Sequence, residues 1–235
     1  MITCMPRETI HHSLRILVFS IFCTLSSCTP VSSLQGTITS GIDVSRYQGV
    51  IDWKKVQMSG ITFAIAKATQ GTTYIDPMFA KNSAGIHNAN ITFGAYHFLT
   101  PDEPGDAQAR HFLSVTKLKS GDLPPIIDTE RISKDSGSKL VEIIFGFRDE
   151  IMRQTGHQVM IYVSPAFWNE YVKPHLDKPL SNPLWIAEYD VSEPQSLTHI
   201  SPWSIWQHSK TGSCDGITGH VDLNTARNLD TILIP

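Results

Sequence analysis

The stretch that decides the fold runs Pro124-Pro125-Ile126-Ile127-Asp128-Thr129-Glu130. The two prolines end whatever element precedes them, and the two isoleucines that follow are typical of a short, fully buried strand. That strand ends on two carboxylates at positions i and i+2. Because successive side chains of a strand point to opposite faces, Asp128 and Glu130 are predicted to share one face, with their Cα atoms roughly 6.5 Å apart.

Two carboxylates side by side suit a particular chemistry. Cleavage of a glycosidic bond needs one acid that protonates the leaving oxygen and a second carboxylate that handles the positive charge developing at the sugar carbon. Asp and Glu are also common in a solvated loop after a strand. This segment alone therefore leaves both interpretations open.

Apolar runs with polar ends recur along the chain from residue 41 onward. They cover residues 41–45, 63–67, 93–98, 125–128, 159–163, 184–187, 204–207 and 219–222. Helices are predicted between the first five, the clearest at 138–154, with others at 104–119 and 77–90. Continuous apolar runs are typical of buried parallel strands. The pattern predicts an α/β fold over residues 41–235, a modified (β/α) barrel similar to the TIM barrel, with eight strands and about five helices.

Functional residues of such a barrel sit at the carboxyl ends of its strands. The runs predict one rim that carries four carboxylates, three aromatic rings and one amide: Asp43, Tyr96, Asp128, Glu130, Tyr162, Trp185, Gln207 and Asp222. Flat rings stack on sugar faces, and carboxylates supply acid and base. A rim that only binds a ligand would not need four carboxylates, because their mutual repulsion raises their pKa values.

Composition and the absence of known motifs limit the classes of function that remain possible. The chain has 235 residues, a length that fits one large domain. Its net charge of −3 argues against a nucleic-acid partner, since binding phosphates requires clustered Lys and Arg. The sequence contains no His-Glu-x-x-His motif, phosphate-binding glycine loop or Gly-x-Ser-x-Gly elbow. We therefore expect neither a metal ion nor a cofactor, and we expect a monomer.

The first residues have a different character. Arg7 and Arg15 precede an apolar run over residues 16–25, which is too short to span a bilayer and has the length of a signal-peptide core. The run leads into Leu25-Ser26-Ser27-Cys28, which resembles the lipobox of bacterial lipoproteins, in which the cysteine is lipidated. We predict a lipoprotein-type signal peptide over residues 1–27, lipidation of Cys28, and a flexible tether over 28–40. An ordinary secretory signal is the alternative, and both predict export.

Cysteine usage is compatible with this processing. Cys4 and Cys23 would leave with the signal peptide and Cys28 would carry lipid, so that only Cys214 would remain free. The mature chain would then have no intramolecular disulfide. A bridge between Cys28 and Cys214 is conceivable only if Cys28 kept its thiol.

Residues 41–53, GIDVSRYQGVIDW, closely resemble the opening of glycoside hydrolase family 25, the bacterial and phage muramidases. The resemblance covers residues 41–230, and its further motifs follow in order: KAT at 67–69, GAYHF at 94–98, IDTE at 127–130, WIA at 185–187, IWQ at 205–207 and GITGHVDLN at 216–224. One departure is Gln70, which stands where many members of the family have Glu.

The resemblance implies a β/α barrel that hydrolyses the β-1,4 bond between N-acetylmuramic acid and N-acetylglucosamine in peptidoglycan. Glu130 resembles the proton donor. Asp128 resembles the partner that stabilises the acetamido group of the substrate, and is expected to stay ionised while it raises the pKa of Glu130. Asp43 and Asp222 resemble the other two acids of the cleft, with Tyr96, Tyr162, Trp185 and Gln207 as substrate contacts.

A second function class stays open, namely a cell-wall-binding protein that has kept the cleft and lost turnover. Among residues near the predicted cleft, Tyr47 and Trp53 are interpreted as packing residues. His97 and His220 are interpreted as core or surface histidines.

Overall fold

The computed structural model describes residues 37–132 and 137–235. The predicted signal peptide, the predicted lipidation site Cys28 and most of the predicted tether lie outside the described residues. Within the described part of the chain, no helix is both long and apolar enough to cross a membrane.

The described residues form a closed barrel of eight strands, as the sequence predicts. The ring closes because β1 pairs with both β2 and β9, and a short ninth strand, β3, pairs only with the end of β2. The strands are β1 (Ile38–Val44), β2 (Phe63–Gln70), β3 (Tyr74–Ile75), β4 (Thr92–Phe98), β5 (Ile126–Asp128), β6 (Met160–Val163), β7 (Leu184–Ala187), β8 (Trp203–Gly212) and β9 (Val221–Arg227).

Seven of the eight barrel strands are parallel, from β1 through β8 without β3. The expectation of parallel strands is wrong for β9, which runs antiparallel to both β8 and β1. A parallel strand needs a long crossover connection, whereas an antiparallel strand needs only a short loop. Only residues 213–220 separate β8 from β9, which leaves no room for a crossover helix.

The barrel also begins earlier than predicted. β1 starts at Ile38 rather than at residue 41, and Ile38 and Ser40 pair with Arg227 and Thr225 of β9. The last three residues of the predicted tether therefore belong to the barrel.

Helices fill the connections in the first two thirds of the barrel, as predicted. They are α1 (Trp53–Met58), α2 (Phe79–Asn88), α3 (Gly105–Val115), α4 (Gly137–Thr155) and α5 (Pro165–Phe167), which continues as a π-helical turn at Trp168–Val172. The apolar stripe of α4, with Leu140, Ile144, Phe147 and Ile151, is buried as its periodicity predicts. α4 ends before Gly156, whose φ of 73° is readily available only to glycine.

Side chains alternate between the inside and the outside of the barrel along each strand. Inward-pointing residues at one end, among them Phe63, Ile65, Ile126, Met160 and Ile205, form an apolar core inside the ring. Polar inward-pointing residues follow them toward the carboxyl ends of the strands. The interior is thus a packed apolar base that supports a polar upper layer.

Candidate active site

A cavity of about 300 Å³ opens at the carboxyl ends of the parallel strands. All eight residues predicted from the sequence line it: Asp43, Tyr96, Asp128, Glu130, Tyr162, Trp185, Gln207 and Asp222. Eight further residues complete the lining: Val44, Ser45, Tyr47, Gln48, Lys67, Phe98, Tyr189 and Lys210. The barrel therefore brings together side chains from both ends of the sequence.

Asp43 lies at the floor of the cavity within a hydrogen-bond network of side chains. Its Oδ2 accepts from Nε2 of Gln207 and from Nδ2 of Asn224, each at 2.8 Å. Burial, reinforced by the charge of Asp222, raises the pKa of Asp43 from 3.8 to about 8. Asp43 is therefore neutral at pH 7, and its carboxyl group donates the hydrogen bond that it shares with Asp222.

Aromatic side chains orient the two amides that hold Asp43. The hydroxyl groups of Tyr162 and Tyr189 both donate to Oε1 of Gln207, and Nε1 of Trp185 donates to Oδ1 of Asn224 at 2.8 Å. These donors fix which end of each amide faces Asp43. The rings that line the cavity thus also set the hydrogen-bonding state of its acids.

Asp128 is the most deeply placed acid on the opposite wall. Its side chain is buried, and its Oδ1 has no hydrogen-bond partner among the described residues. Burial, followed by the charge of Glu130, raises its pKa well above the usual value, although the positive charge of Lys67 opposes this rise. An unpaired buried acceptor is costly, so a donor supplied by a ligand would be strongly favoured there.

Glu130 lies two residues further along, at the exposed rim of the cavity. Thr129 anchors the segment, because its backbone N–H and its hydroxyl both donate to the carbonyl oxygen of Tyr162, at 3.0 and 2.6 Å. Partial burial raises the pKa of Glu130, while the charges of Arg131 and Lys67 lower it. The segment after β5 is thus fixed at the residue between the two acids.

Burial raises the pKa values of both acids. For Asp128 the charge of Glu130 adds to the rise, and for Glu130 the charges of Arg131 and Lys67 oppose it. The sequence-based expectation that Glu130 holds the proton and Asp128 the charge stays a prediction.

Aromatic side chains form one wall beside these acids. The ring of Trp185 contacts Tyr162 at 4.6 Å and Tyr96 at 6.4 Å between centroids, both nearly edge to face. Such contacts hold the rings in fixed orientations. The rings thus give the cavity a rigid, largely buried apolar lining on this side.

Sequence reasoning missed several lining residues. Lys67 stands at the end of a predicted strand, so the rule that located the other eight could have included it, whereas Tyr189 was noted after the strand of Trp185 without being assigned a role. The interpretation of Tyr47 as a packing residue is wrong, because its side chain is 79% exposed and lines the cavity. Lys210 lies beyond the predicted end of its strand, which extends five residues further than the apolar run.

The remaining sequence-based interpretations concern residues around the cavity. Trp53 is buried against Gly85 of α2, as expected of a packing residue. His97 is fully buried and bonded to Thr69 and Gln108, and His220 is exposed, so both agree with the interpretation as core and surface histidines.

Gln70, the noted departure, accepts a hydrogen bond from Nζ of Lys67 at 3.0 Å. Because the amide of Gln70 is neutral, this bond adds no negative charge beside Lys67, whose charge interacts with Asp128, Asp76 and Glu130.

Comparisons with known proteins agree on one family. The model of glycosyl hydrolases family 25 matches residues 42–217. Lysozyme M1 of Streptomyces globisporus is 36% identical over 194 residues, which cover 78% of this chain and 66% of that protein. The N,O-diacetylmuramidase of Chalaropsis sp is 32% identical over 200 residues, which cover 77% of this chain and 95% of that protein.

A solved structure gives the same result for the fold. The crystal structure of the bacterial lysozyme from Streptomyces coelicolor superposes with a TM-score of 0.72 at 34% identity, covering 79% of this chain and 90% of that one. The chain spans about two thirds of the length of Lysozyme M1.

Proposed function

This chain belongs to glycosyl hydrolase family 25, and on that premise we propose that it is a muramidase. Its substrate is peptidoglycan, in which it hydrolyses the β-1,4 bond between N-acetylmuramic acid and N-acetylglucosamine. The observation that carries the proposal is the convergence of four carboxyl groups and an aromatic wall on one cavity at the carboxyl ends of the barrel strands. A sugar-binding rim without turnover would not need to bury acids at this cost.

Glu130 is the proton donor to the leaving oxygen. It lies at the rim, where a glycan strand can reach its carboxyl group, and partial burial raises its pKa in the direction that a general acid requires. Asp128 stabilises the acetamido group of the substrate while the oxygen of that acetamido group attacks the sugar carbon. This is substrate assistance, a recognised variation on the two-carboxylate schemes.

Substrate binding favours the proton on Glu130. The unpaired Oδ1 of Asp128 can accept a hydrogen bond from the acetamido N–H of the substrate. Because hydrogen bonds to a carboxylate favour its charged form, this contact lowers the pKa of Asp128. A sugar that covers Glu130 removes water from it and raises its pKa. Both effects favour the proton on Glu130 and the negative charge on Asp128 in the complex.

Asp43 and Asp222 act as a pair on the wall formed by β1 and β9, where they occupy paired positions. Burial raises the pKa of Asp222, and the hydrogen bond that the neutral Asp43 donates opposes this rise, which favours an Asp222 carboxylate that accepts from substrate hydroxyl groups. Tyr96, Tyr162, Trp185 and Gln207 form the substrate-contacting wall.

The test is a digest of purified peptidoglycan with the full chain, followed by borohydride reduction and mass spectrometry. Fragments that end in reduced N-acetylmuramic acid are expected, and reduced N-acetylglucosamine ends would contradict the proposed bond specificity. Glu130→Gln keeps the fold, because Glu130 is exposed, and loses roughly 10²–10⁴-fold in rate, as expected for the removal of a general acid. Normal digestion by this variant would overturn the assignment of Glu130.

The alternative of a wall-binding protein without turnover predicts a different result in the same digest. Such a protein would pellet with the peptidoglycan and release no soluble fragments. We rank the wall-binding function second, because the similarity to Lysozyme M1 favours a muramidase.

We also propose how the protein is located. Action on peptidoglycan requires export, and residues 1–27 supply a lipoprotein-type signal peptide. Cys28 is lipidated and residues 29–37 tether the barrel to a membrane, at the periplasmic face or the cell surface. Labelling of cells with an alkyne fatty acid tests this: wild type should incorporate the label and Cys28→Ala should not. The protein acts as a monomer, which size-exclusion chromatography with light scattering checks.

A further inference from the structure

Three cationic side chains border the cavity without an ion-pair partner among the described residues. They are Arg46, just after β1, Lys67 on β2 and Lys210 on β8. Lys67 and Lys210 line the cavity itself, and Arg46 stands beside Tyr47, which also lines it. In a cavity whose acids were expected to dominate, these cations have no assigned role.

Each of these cations is held against an aromatic ring. The guanidinium carbon of Arg46 lies 4.8 Å from the ring centroid of Tyr47. Nζ of Lys67 lies 4.4 Å from the ring centroid of Phe98, and Nζ of Lys210 lies 5.4 Å from that of Tyr189. Such contacts position a cation without cancelling its charge.

The side-chain hydrogen bonds of Arg46 and Lys67 go to neutral oxygens. The guanidinium of Arg46 donates to the hydroxyl groups of Tyr74 at 2.7 Å and Tyr47 at 3.1 Å. Lys67 donates to the amide oxygen of Gln70 at 3.0 Å. The side chains are therefore held in place while their positive charge stays available to a ligand.

The acids near these cations are not within ion-pair distance of them. The charges of Asp128, Asp76 and Glu130 act on Lys67, and the charge of Lys210 acts on Asp222, yet none of these groups forms an ion pair with the cation among the described residues. Asp76 is buried, and its carboxylate accepts from the backbone N–H groups of Arg46 and Met78. A carboxylate at hydrogen-bond distance is the contact that the three cations lack and a ligand could supply, because charge-assisted hydrogen bonds are about twice as strong as neutral ones.

We propose that Arg46, Lys67 and Lys210 bind carboxylates of the substrate, so that the enzyme selects glycan strands that carry carboxylates over neutral strands. This inference rests on the proposed muramidase function and names the substrate class of the same site. Two parts of peptidoglycan supply the chemistry, the lactyl carboxylate of muramic acid without a peptide and the carboxylates of the peptide stem.

The experiment compares three substrates at equal glycan concentration. They are intact strands, strands from which an amidase has removed the peptide stems, and strands whose carboxylates have been converted to methylamides with carbodiimide. Wild type is expected to cleave intact strands at least about tenfold faster in kcat/KM than methylamide strands. Equal rates on these two substrates would overturn the inference. A full rate on stem-free strands assigns the lactyl carboxylate as ligand, and a rate as low as on methylamide strands assigns the peptide stem.

Variants separate charge recognition from a general loss of activity. Arg46→Gln and Lys210→Gln should each lower kcat/KM several-fold on carboxylate-bearing strands and lower it by a clearly smaller factor on methylamide strands. The charge-conserving Arg46→Lys and Lys210→Arg should restore most of the preference. Equal losses on both substrates would contradict the inference, because a purely structural role predicts that result.

The matched control is Lys178→Gln. Lys178 is an exposed lysine that precedes β7, at the opposite end of the barrel from the cavity, and it should change neither rate. Failure of wild type to cleave any of the three substrates would refute the proposed function itself, which is distinguishable from cleavage without charge preference.

Discussion

Replacement of Asp43 by Asn tests the protonation state of the cavity floor. In the structure Oδ2 of Asp43 accepts from Gln207 and Asn224, and the protonated carboxyl group donates to Asp222. Asparagine offers the same pattern, since its carbonyl oxygen accepts and its amide N–H donates. The network therefore survives the change, and only the ability to ionise is lost.

The size and sign of the effect follow from the raised pKa of Asp43. Its pKa is 3.8 in an ordinary environment and about 8 in the folded protein, a difference of about four units. The native state holds a proton that the unfolded chain has already lost, so wild type loses stability as pH rises from about 4 to about 8. At about 1.4 kcal/mol per pH unit, the loss has an upper limit of about 6 kcal/mol. The Asp43→Asn variant escapes this loss.

Urea unfolding from pH 4 to pH 9 measures the difference between the two proteins. Asp43→Asn should gain stability relative to wild type with each pH unit up to about 8 and show no further gain above it. Asp177→Asn, an exposed control, should differ from wild type by an amount independent of pH. A difference for Asp43→Asn that does not change with pH would mean that Asp43 is ionised in the native state, and would refute the reasoning.

Two further predictions concern the rim and the helical layer. Gln70→Glu should pair with Lys67 and cancel the charge that lowers the pKa of Glu130, so the alkaline limb of the pH–rate profile should move upward; an unchanged profile would contradict the coupling. Gly105→Ala should destabilise the protein by about 1–3 kcal/mol or more, because its Cβ would lie 1.9 Å from the backbone oxygen of Ile143 where α3 packs on α4. Thermal unfolding measures this second effect. An unaltered midpoint would contradict the prediction, because it would mean that α3 and α4 accommodate the extra methyl group without loss of stability.

The sequence by itself determined the elements and the chemistry of the rim. Buried strands and amphipathic helices are local patterns, so residues such as Ile126 and Ile127 or the stripe of α4 identified them without a partner. Because strand ends meet at one rim of a barrel, the same reasoning located Asp43, Asp128 and Asp222. The eight predicted lining residues were found in this way.

The tertiary structure decided how the last strand closes the barrel. The apolar run near residue 221 predicts a strand but carries no information about its direction. The short connection after β8 and the pairing with both β8 and β1 make β9 antiparallel. That direction places Asp222 and Asn224 beside Asp43.

The tertiary structure also decided the charges of the site. Asp43 bonds to Gln207 and Asn224 across separations of 164 and 181 residues, and no local pattern predicts such contacts. A pKa depends on burial and on neighbouring charges in space, so the raised pKa values of Asp43 and Asp128 follow only from the folded arrangement. Residue types in the sequence thus determine which reactions are available, and packing determines which acid holds the proton.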